Sequence, residues 1–152
     1  MQLSPVQRAT IRVWSRLNAL VYRASGGRLM DRMGAAPVLL LTTRGRRSGA
    51  ARTAPLLYLA DGETYVVVAS YGGSDAHPAW YLNLRDAPDA TIRLGRREVR
   101  VRARDAAGAE RERLWAGVVA IWPAYETYAS KTSREIPLVV LEPVDRPVSP
   151  AG

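Results

Sequence analysis

Between residues 38 and 104, short apolar runs rich in β-branched side chains alternate with turns that contain glycine. The first three runs are VLLLTTR, ARTAPLLYLA and ETYVVVAS, and they are separated by GRRSG and by an Asp-Gly pair. Runs of this length with such short turns are typical of antiparallel strands joined as hairpins. Pro55 lies inside the second run. Because proline cannot donate to a strand ladder, we expect that strand to be interrupted, bulged or at a sheet edge there.

Three further runs complete the predicted set of strands. ATIRL at 90–94 is followed by EVRVRAR at 98–104, in which apolar residues alternate with arginines, a pattern typical of a strand with one face in water. IPLVVLEP at 136–143 predicts a closing strand. Six strands with helices at the start, middle and end of the chain predict an α+β fold built on a small barrel or a sandwich.

Two helices are predicted within this set of strands. A short helix is expected to end before Pro88, with Ser74 or Asp75 as its cap and Pro78 in its first turn. A longer helix is expected over about 108–121, because its apolar side chains recur on one side and a proline follows two residues later.

The N-terminal segment predicts a basic amphipathic helix, because residues 5–24 place apolar side chains at helical spacing with arginines between them. This helix can pack on the rest of the domain, or it can lie on an anionic bilayer with Trp14 at the interface. We therefore divide the chain into this helix (1–27), a barrel domain (28–143) and a disordered tail (144–152). A cytoplasmic protein is expected, with peripheral contact with the inner face of the cell membrane as an open alternative.

The charge balance indicates an anionic partner. The chain has 22 Lys and Arg residues against 14 Asp and Glu residues, which gives a formal net charge of +8. Nucleic acid, an acidic membrane face and a phosphorylated cofactor all fit this excess. The absence of cysteine excludes disulfides, thiolate nucleophiles and Cys-based zinc sites, and the single His77 argues against a multi-histidine metal centre. We expect no metal site.

Positive charge is concentrated in residues 44–52, RGRRSGAAR, which we call the arginine turn. It lacks the GxxxxGK[ST] pattern of a P-loop, and it joins two strands instead of opening a helix, so neither common nucleotide-binding motif applies. A glycine-flanked turn exposes backbone N–H groups, Ser48 adds a hydroxyl, and the arginine forks suit phosphate. The turn is either an anion site or a solvated hairpin loop, and four arginines within nine residues favour the anion site.

Four segments, taken in order, carry a resemblance to a known family. They are LLTTRGRRSGAARTAPLLY, VVVASYGG, HPAWYLNLRDAPDATIRL and WPAYETYASKTSREIPLVVLEP, and they span about residues 37 to 143. In this combination the chain resembles the deazaflavin-dependent nitroreductases, actinobacterial split-barrel proteins that use coenzyme F-420. The resemblance implies a split β-barrel of the FMN-binding type. It also implies hydride transfer from the reduced 8-hydroxy-5-deazaflavin to a small-molecule electron acceptor such as a quinone or a nitroaromatic.

The resemblance also implies the site residues. The positions that match the family's coenzyme-binding segments lie on four stretches of the chain and are Arg46, Arg47, Ser48, Arg52, Thr53, Ala54, Pro55, Leu56, Leu57, Val68, Ala69, Ser70, Tyr71, Ala79, Trp80, Tyr81, Leu82, Asn83 and Tyr125. The positions that match its substrate-facing side chains are Ser70, Trp122, Tyr125 and Tyr128. Ser70 and the two tyrosines are the candidate catalytic groups, which orient the acceptor or deliver a proton, with solvent as the alternative proton source.

Two positions depart from the family's pattern. Its better-known members carry tyrosine where Trp122 stands and lysine where Tyr71 stands, which alters the expected substrate wall and one positive contact. The aromatic side chains of Trp122, Tyr125 and Tyr128 can also be core residues that close one end of the barrel. His77 is expected at a helix start, without a part in proton transfer.

Three other functions stay open from the sequence. An oxidoreductase that binds FMN on the same barrel would also need a phosphate site. A coenzyme carrier without turnover would keep the groove and lose the acceptor site. A nucleic-acid-binding protein would explain the charge, but its aromatic residues should interleave with the arginines, and here the aromatic cluster lies far from the arginine turn in sequence. We therefore expect no nucleic-acid partner.

Overall fold

The strands and the longer helix follow one another along the chain as the sequence predicts. The structure, a computed structural model, describes residues 32–33 and 36–144. Within these residues the elements are β1 (Arg32–Met33), β2 (Ala36–Arg44), β3 (Ala51–Asp61), β4 (Thr64–Val68), a 3-10 turn (Tyr71–Gly73), α1 (Ala79–Asp86), β5 (Asp89–Leu94), β6 (Arg97–Asp105), α2 (Gly108–Ile121), α3 (Ala124–Ser130) and β7 (Leu138–Pro143).

Six of these strands form a closed antiparallel barrel. Their order is β2-β3-β4-β7-β6-β5, and residues 91–93 of β5 pair back onto residues 40–42 of β2. The two-residue strand β1 pairs with the beginning of β2. The predicted α+β fold with six antiparallel strands is confirmed, and the closure of the sheet makes it a barrel instead of a sandwich.

The barrel interior is filled by side chains that the alternation of each strand turns inward. Leu39, Leu41, Ile92 and Leu141 are fully buried there. The side chain of Tyr81, which α1 contributes, belongs to the same cluster. Helix α1 therefore covers one end of the barrel with an aromatic residue.

A second apolar layer lies on the outside of β4 and β7, beneath α2 and α3. Val66 and Val68 belong to this layer, whereas Val67 between them belongs to the interior cluster. Leu114 and Val118 of α2 cover the outer valines. Burial on both faces explains why β4 is an unbroken apolar run instead of an alternating one.

Strand β3 has two different neighbours along its length. Its residues 51–57 pair with β2 in unbroken register, and only residues 58–61 pair with β4. Pro55 therefore lies in an uninterrupted, unbulged strand that has one strand neighbour at that position. Of the three expectations for Pro55, the sheet edge is confirmed, and the interruption and the bulge are wrong. Where β3 has a strand neighbour on one side only, a residue without an N–H leaves no acceptor of a second strand unpaired, so the backbone needs no break.

The helices differ from the predictions in one boundary and one addition. Helix α2 has the predicted bounds. Helix α1 begins at Ala79, and Pro78 is its N-cap in an extended conformation instead of a first-turn residue. The Ser74 hydroxyl accepts a hydrogen bond from the Ala76 N–H at 3.2 Å, so Ser74 closes a local turn before the helix. Helix α3 was not predicted, because seven residues are too few to show a period.

Some sequence-based predictions concern residues that the structure does not describe. The N-terminal helix over 5–24 and the tail beyond Val144 lie outside the described residues, and so does the boundary between residues 27 and 28. Among the residues that the structure does describe, no helix combines the length and apolar character needed to cross a membrane.

Candidate active site

One end of the barrel collects the segments that the sequence singles out. Because the strands are antiparallel, the turn after β2, the chain after β4 and the start of β7 all lie at the same end. Helix α1, whose Tyr81 and Leu84 enter the interior cluster, covers this end. The hairpin turns at Gly62 and Gly95 lie at the opposite end. The fold therefore brings the arginine turn, α1, α3 and the segment around Ser70 into one neighbourhood.

The arginine turn presents guanidinium groups that no carboxylate of the described residues neutralises. Arg44, Arg46, Arg47 and Arg52 are exposed, and in the described part of the chain they form no ion pair and no side-chain hydrogen bond. The Ser48 hydroxyl accepts a hydrogen bond from the Ala50 N–H at 3.2 Å, which leaves its own proton available for donation. These are the groups that a polyanion requires.

Asn83 of α1 fixes the position of the arginine turn. Its side-chain carbonyl accepts a hydrogen bond from the backbone N–H of Arg46 at 3.1 Å, and its amide donates to the Thr43 hydroxyl at 3.0 Å. Asn83 and Thr43 are both buried. Asn83, which the sequence predicts as a coenzyme-binding residue, thus joins α1 to the arginine turn, and both polar atoms of its side chain already form hydrogen bonds within the protein.

An apolar recess opens on the outer side of the barrel between β3, β4, α2 and α3. It is shallow and partly open to solvent, and its enclosed space is about 10 Å³. Its walls are formed by Leu57, Tyr58, Leu59, Val66, Val68, Val118, Ile121 and Tyr125. The recess is therefore where the predicted site residues of β3 and β4 meet those of α3, and it offers an apolar surface against which a flat ring can lie.

The segment after β4, residues 69–77, carries Ser70 and is here called the Ser70 loop. Ser70 is buried, and its hydroxyl has no hydrogen-bond partner among the described residues, whereas its carbonyl accepts from the Gly73 N–H at 3.0 Å. Tyr71 has a φ of 46°, the one positive value at a non-glycine residue in the described chain. Strained backbone of this kind persists only where the surroundings hold it, and it is frequent at ligand sites.

The aromatic residues of the α2–α3 junction belong to the outer apolar layer, and one of them, Tyr125, also lines the recess. Tyr125 is buried, and burial above all, with a further contribution from Tyr128, raises its pKa far above the ordinary value. The two tyrosine rings pack edge to face with centroids 6.1 Å apart. Trp122 is half-buried against the same layer. All three aromatics thus pack as core residues of the outer layer, and among them only Tyr125 also lines the recess.

Tyr81, like Asn83, is a predicted coenzyme-binding residue of α1 whose polar group already has a partner within the protein. Tyr81 is buried in the barrel end and donates a hydrogen bond to the Asp105 carboxylate at 2.7 Å. Burial first, and then this hydrogen bond, raises its pKa to about 12. Ala79, Trp80 and Leu82 are at least partly accessible on the same helix. The outward side of α1 is thus the part that a ligand can reach.

Sequence reasoning missed one residue of this neighbourhood, Arg134. Its guanidinium contacts the Ser70 loop through four hydrogen-bond partners. In the sequence it lies in the polar stretch SKTSRE, where neither a motif nor a spacing distinguishes it from a solvated arginine. Only the fold shows that its side chain turns inward.

The fold and the site together define a split-barrel protein with a cationic turn at one end of an apolar recess, the form expected of a flavin-type or deazaflavin-type oxidoreductase. The family model described as F420H(2)-dependent quinone reductase matches residues 14–143. The chain therefore belongs to the F420H(2)-dependent quinone reductase family.

Individual relatives agree with this assignment. The chain is 41% identical over 131 residues to the F420H(2)-dependent quinone reductase Rv1261c of Mycobacterium tuberculosis strain H37Rv, an alignment that covers 83% of this chain and 87% of the relative. A solved structure described as an F420-H2 dependent reductase (FDR-A) is 37% identical with a TM-score of 0.65, over 70% of this chain and 94% of that one. Another solved chain, described as a domain-swapped dimer, is 33% identical with a TM-score of 0.69, over 88% of this chain and 99% of that one.

The cofactor is therefore coenzyme F-420, and the alternative of FMN is not needed. The described residues fit such a molecule, because they offer unneutralised arginines for its anionic part and an apolar recess for a flat ring. The chain is an oxidoreductase of the quinone reductase class, as the resemblance implied.

Proposed function

We propose that this chain reduces quinones with coenzyme F-420 held along a track that begins at the arginine turn, follows β3 and ends in the apolar recess. One observation carries the proposal: four arginines with no carboxylate partner among residues 32–33 and 36–144 stand just before or at the start of a strand that leads to an apolar recess. The coenzyme has the matching order of groups, with glutamates and a phosphate at one end and a flat ring at the other.

The cationic end of the track binds phosphate and carboxylate. Arg46, Arg47 and Arg52 supply guanidinium forks and Ser48 supplies a hydroxyl proton. Each charge-assisted hydrogen bond of this kind contributes roughly 1.5–3 kcal/mol. The buried hydrogen bonds of Asn83 keep the turn in place, so little order has to be created when the anion binds.

The middle of the track is the stretch of β3 that lacks β4 as a neighbour. Leu57 follows Arg52 by five positions, which corresponds to about 17 Å along an extended strand. Thr53, Ala54, Pro55 and Leu56 lie between them, and their backbone groups face the elongated part of the coenzyme. Ala69 and Tyr71 of the Ser70 loop, and the accessible residues of α1, bound the track on its other side.

The recess end holds the reacting parts. Bound there, the reduced coenzyme supplies the hydride. Val68 and Leu57 exclude water, and the Ser70 hydroxyl, which has no described protein partner, donates a hydrogen bond to a quinone oxygen. Tyr125 keeps its proton at every physiological pH because its pKa is raised, so it acts as a donor and not as a base. Trp122 and Tyr128 form the acceptor wall, and solvent replaces the proton that the reduced quinone takes up.

The proposal is tested by two measurements on the full chain. Fluorescence titration should show tighter binding of coenzyme F-420 than of FMN, because only the deazaflavin coenzyme carries glutamates for the arginine turn. Mixing the reduced coenzyme with a naphthoquinone should restore the absorbance of the oxidised deazaflavin at a rate that depends on the protein. Equal or tighter binding of FMN, or binding without quinone-dependent oxidation, would contradict the proposal.

A peripheral membrane contact is the further partner that we propose, on the sequence of residues 5–24 alone. A full-length variant with Arg8→Glu, Arg12→Glu and Arg16→Glu should lose sedimentation with anionic phospholipid vesicles and keep coenzyme affinity. If the native chain does not sediment with such vesicles, the helix has no membrane role.

A further inference from the structure

Arg134 lies in the connection between α3 and β7, outside the track just described. Its Nε donates to the Ser74 carbonyl at 2.8 Å, and its Nη2 donates to the carbonyls of Ser70 at 2.9 Å and Ala69 at 3.2 Å. Its Nη1 lies 3.3 Å from His77 Nδ1. All three nitrogens of one guanidinium therefore hold a single loop.

We propose that Arg134 is the positioning residue of the acceptor site: it holds the Ser70 hydroxyl in a fixed relation to the aromatic side chains of α3. This inference rests on the proposed function, because it assigns a task to Ser70 only if Ser70 faces the acceptor.

The Ser70 loop needs an external partner to keep its shape. Tyr71 adopts a left-handed φ of 46°, a conformation that costs a non-glycine residue on the order of 1 kcal/mol or more. Within the loop, the Gly73 N–H bonds to the Ser70 carbonyl and the Ser74 N–H bonds to the Tyr71 carbonyl. Arg134 binds the same Ser70 carbonyl from outside, so it reinforces the turn at the residue where the strain begins.

The loop is also in direct contact with α3. A Cβ placed on Gly73 would lie 2.8 Å from the Tyr128 carbonyl oxygen, so the two backbones touch at this point. Arg134 follows α3 by four residues and reaches back over the loop. The loop is thus held between α3 on one side and the Arg134 guanidinium on the other, and any movement of Ser70 relative to Tyr125 and Tyr128 must break these contacts.

The geometry of the guanidinium, and not its charge, carries this task. All four partners are neutral acceptors: three carbonyls and a histidine nitrogen. A lysine ammonium at the same place keeps the charge, but it cannot reach three carbonyls and a ring nitrogen from one planar group. Lysine should therefore fail to replace Arg134.

The test compares full-length Arg134→Lys and Arg134→Gln with Arg113→Lys and Arg113→Gln. Arg113 is a matched control, because it also donates two hydrogen bonds, to Asp61 at 2.9 and 3.1 Å, at the opposite end of the barrel. Three quantities are measured: the coenzyme Kd, kcat and KM for a naphthoquinone at saturating reduced coenzyme, and hydrogen exchange of the Gly73 and Ser74 amides.

Both Arg134 variants should lower kcat/KM for the quinone roughly ten- to a hundredfold, because a displacement of about 1 Å at a reacting site has effects of this size. The coenzyme Kd should rise by less than kcat/KM falls, since the arginine turn is untouched and the Ser70 loop bounds only one side of the track. The Gly73 and Ser74 amides should exchange faster than in the native chain. The Arg113 variants should leave all three quantities unchanged.

Several results would overturn the inference. Native quinone kinetics in Arg134→Lys would show that charge suffices, and faster amide exchange with unchanged kinetics would show that the loop does not position the acceptor. Failure of both Arg134 variants to fold would assign the residue to stability alone. If the native chain oxidises no reduced coenzyme with quinone, the proposed function itself is wrong, while the amide exchange still reports whether Arg134 holds the loop.

Discussion

Arginines on two sides of this barrel have opposite surroundings. Beside β6 and α2, Arg104 binds the Glu110 carboxylate at 2.6 and 2.9 Å and also contacts Glu142, while Arg113 binds Asp61 with two hydrogen bonds. In the arginine turn, four arginines stand within nine residues, and the described chain brings no carboxylate to any of them.

The difference shows where the excess charge of the chain acts. Exposed ion pairs such as those of Arg104 contribute little to stability and leave no net field behind. Clustered arginines without partners repel one another until an anion binds, so they stabilise the bound state and not the free protein. Net charge alone indicates an anionic partner, whereas the distribution of ion pairs indicates its location.

The largest effect is expected at the arginine turn. Arg47→Ala and Arg52→Ala should each weaken coenzyme binding by roughly 1.5–3 kcal/mol, or about ten- to a hundredfold in Kd, because each removes a charge-assisted hydrogen bond. Fluorescence titration measures the Kd, and thermal unfolding should show a fold that is intact. Arg96→Ala removes the same charge from the exposed turn at the opposite end of the barrel and should have no such effect. Unchanged coenzyme affinity in both Arg47→Ala and Arg52→Ala would show that the arginine turn is not the anion site.

A substitution away from both groups of arginines tests whether coenzyme affinity is confined to the turn. Trp122→Tyr restores the hydroxyl that better-known family members have and should change which quinones and nitroaromatics are reduced, and how fast. Coenzyme affinity should hold within about tenfold, or roughly 1.4 kcal/mol. The measurement is an acceptor panel with the coenzyme titrated in parallel. An unchanged acceptor profile together with loss of folded protein would identify Trp122 as a core residue only.

Arg134 differs from both groups of arginines, because its hydrogen-bond partners are neutral. One of these partners is His77, whose pKa can be followed. Burial first, and then the charges of Arg134 and Arg85, lower the pKa of His77, against a smaller opposing effect of Asp105. As the pH falls below about 6.5, the unfolded chain therefore binds a proton at His77 more readily than the folded chain. The free energy of unfolding should fall in that interval and be independent of His77 above it.

Urea titrations between pH 5 and 8 check this expectation, with His77→Gln as the control. Because His77 is the single histidine of the chain, its replacement should remove the part of the fall in the free energy of unfolding below about pH 6.5 that is due to histidine protonation. Identical pH dependence in both proteins would show that the folded state does not lower the pKa of His77.

The smallest effect is expected for the paired arginines. Arg104→Ala breaks exposed ion pairs with Glu110 and Glu142, and the stability of the fold should change little because solvent screens such pairs. Coenzyme Kd should be that of the native chain. A loss of affinity comparable to that of Arg47→Ala would mean that long-range charge, and not the local turn, attracts the coenzyme, and salt titration would then reduce both affinities alike.

The sequence predicts those parts of the molecule that local patterns determine. Alternation and turn chemistry are local, so the six strands and α2 could be placed from the sequence. Pro55 shows the limit, because its missing donor predicted three arrangements, and only the pairing of β3 with β2 and β4 selects the sheet edge. Arg134 and Asn83 could not be assigned their contacts, since their partners lie 57 to 65 and 37 to 40 residues away.

The close approach of Gly73 to Tyr128 restricts how descendants of this chain can vary. With a φ of 82° and a carbonyl 2.8 Å from where a side chain would begin, position 73 admits no other amino acid without displacement of α3. The path of the backbone at the contact between the Ser70 loop and α3 is therefore fixed by this glycine, and variation among descendants is expected in side chains around it.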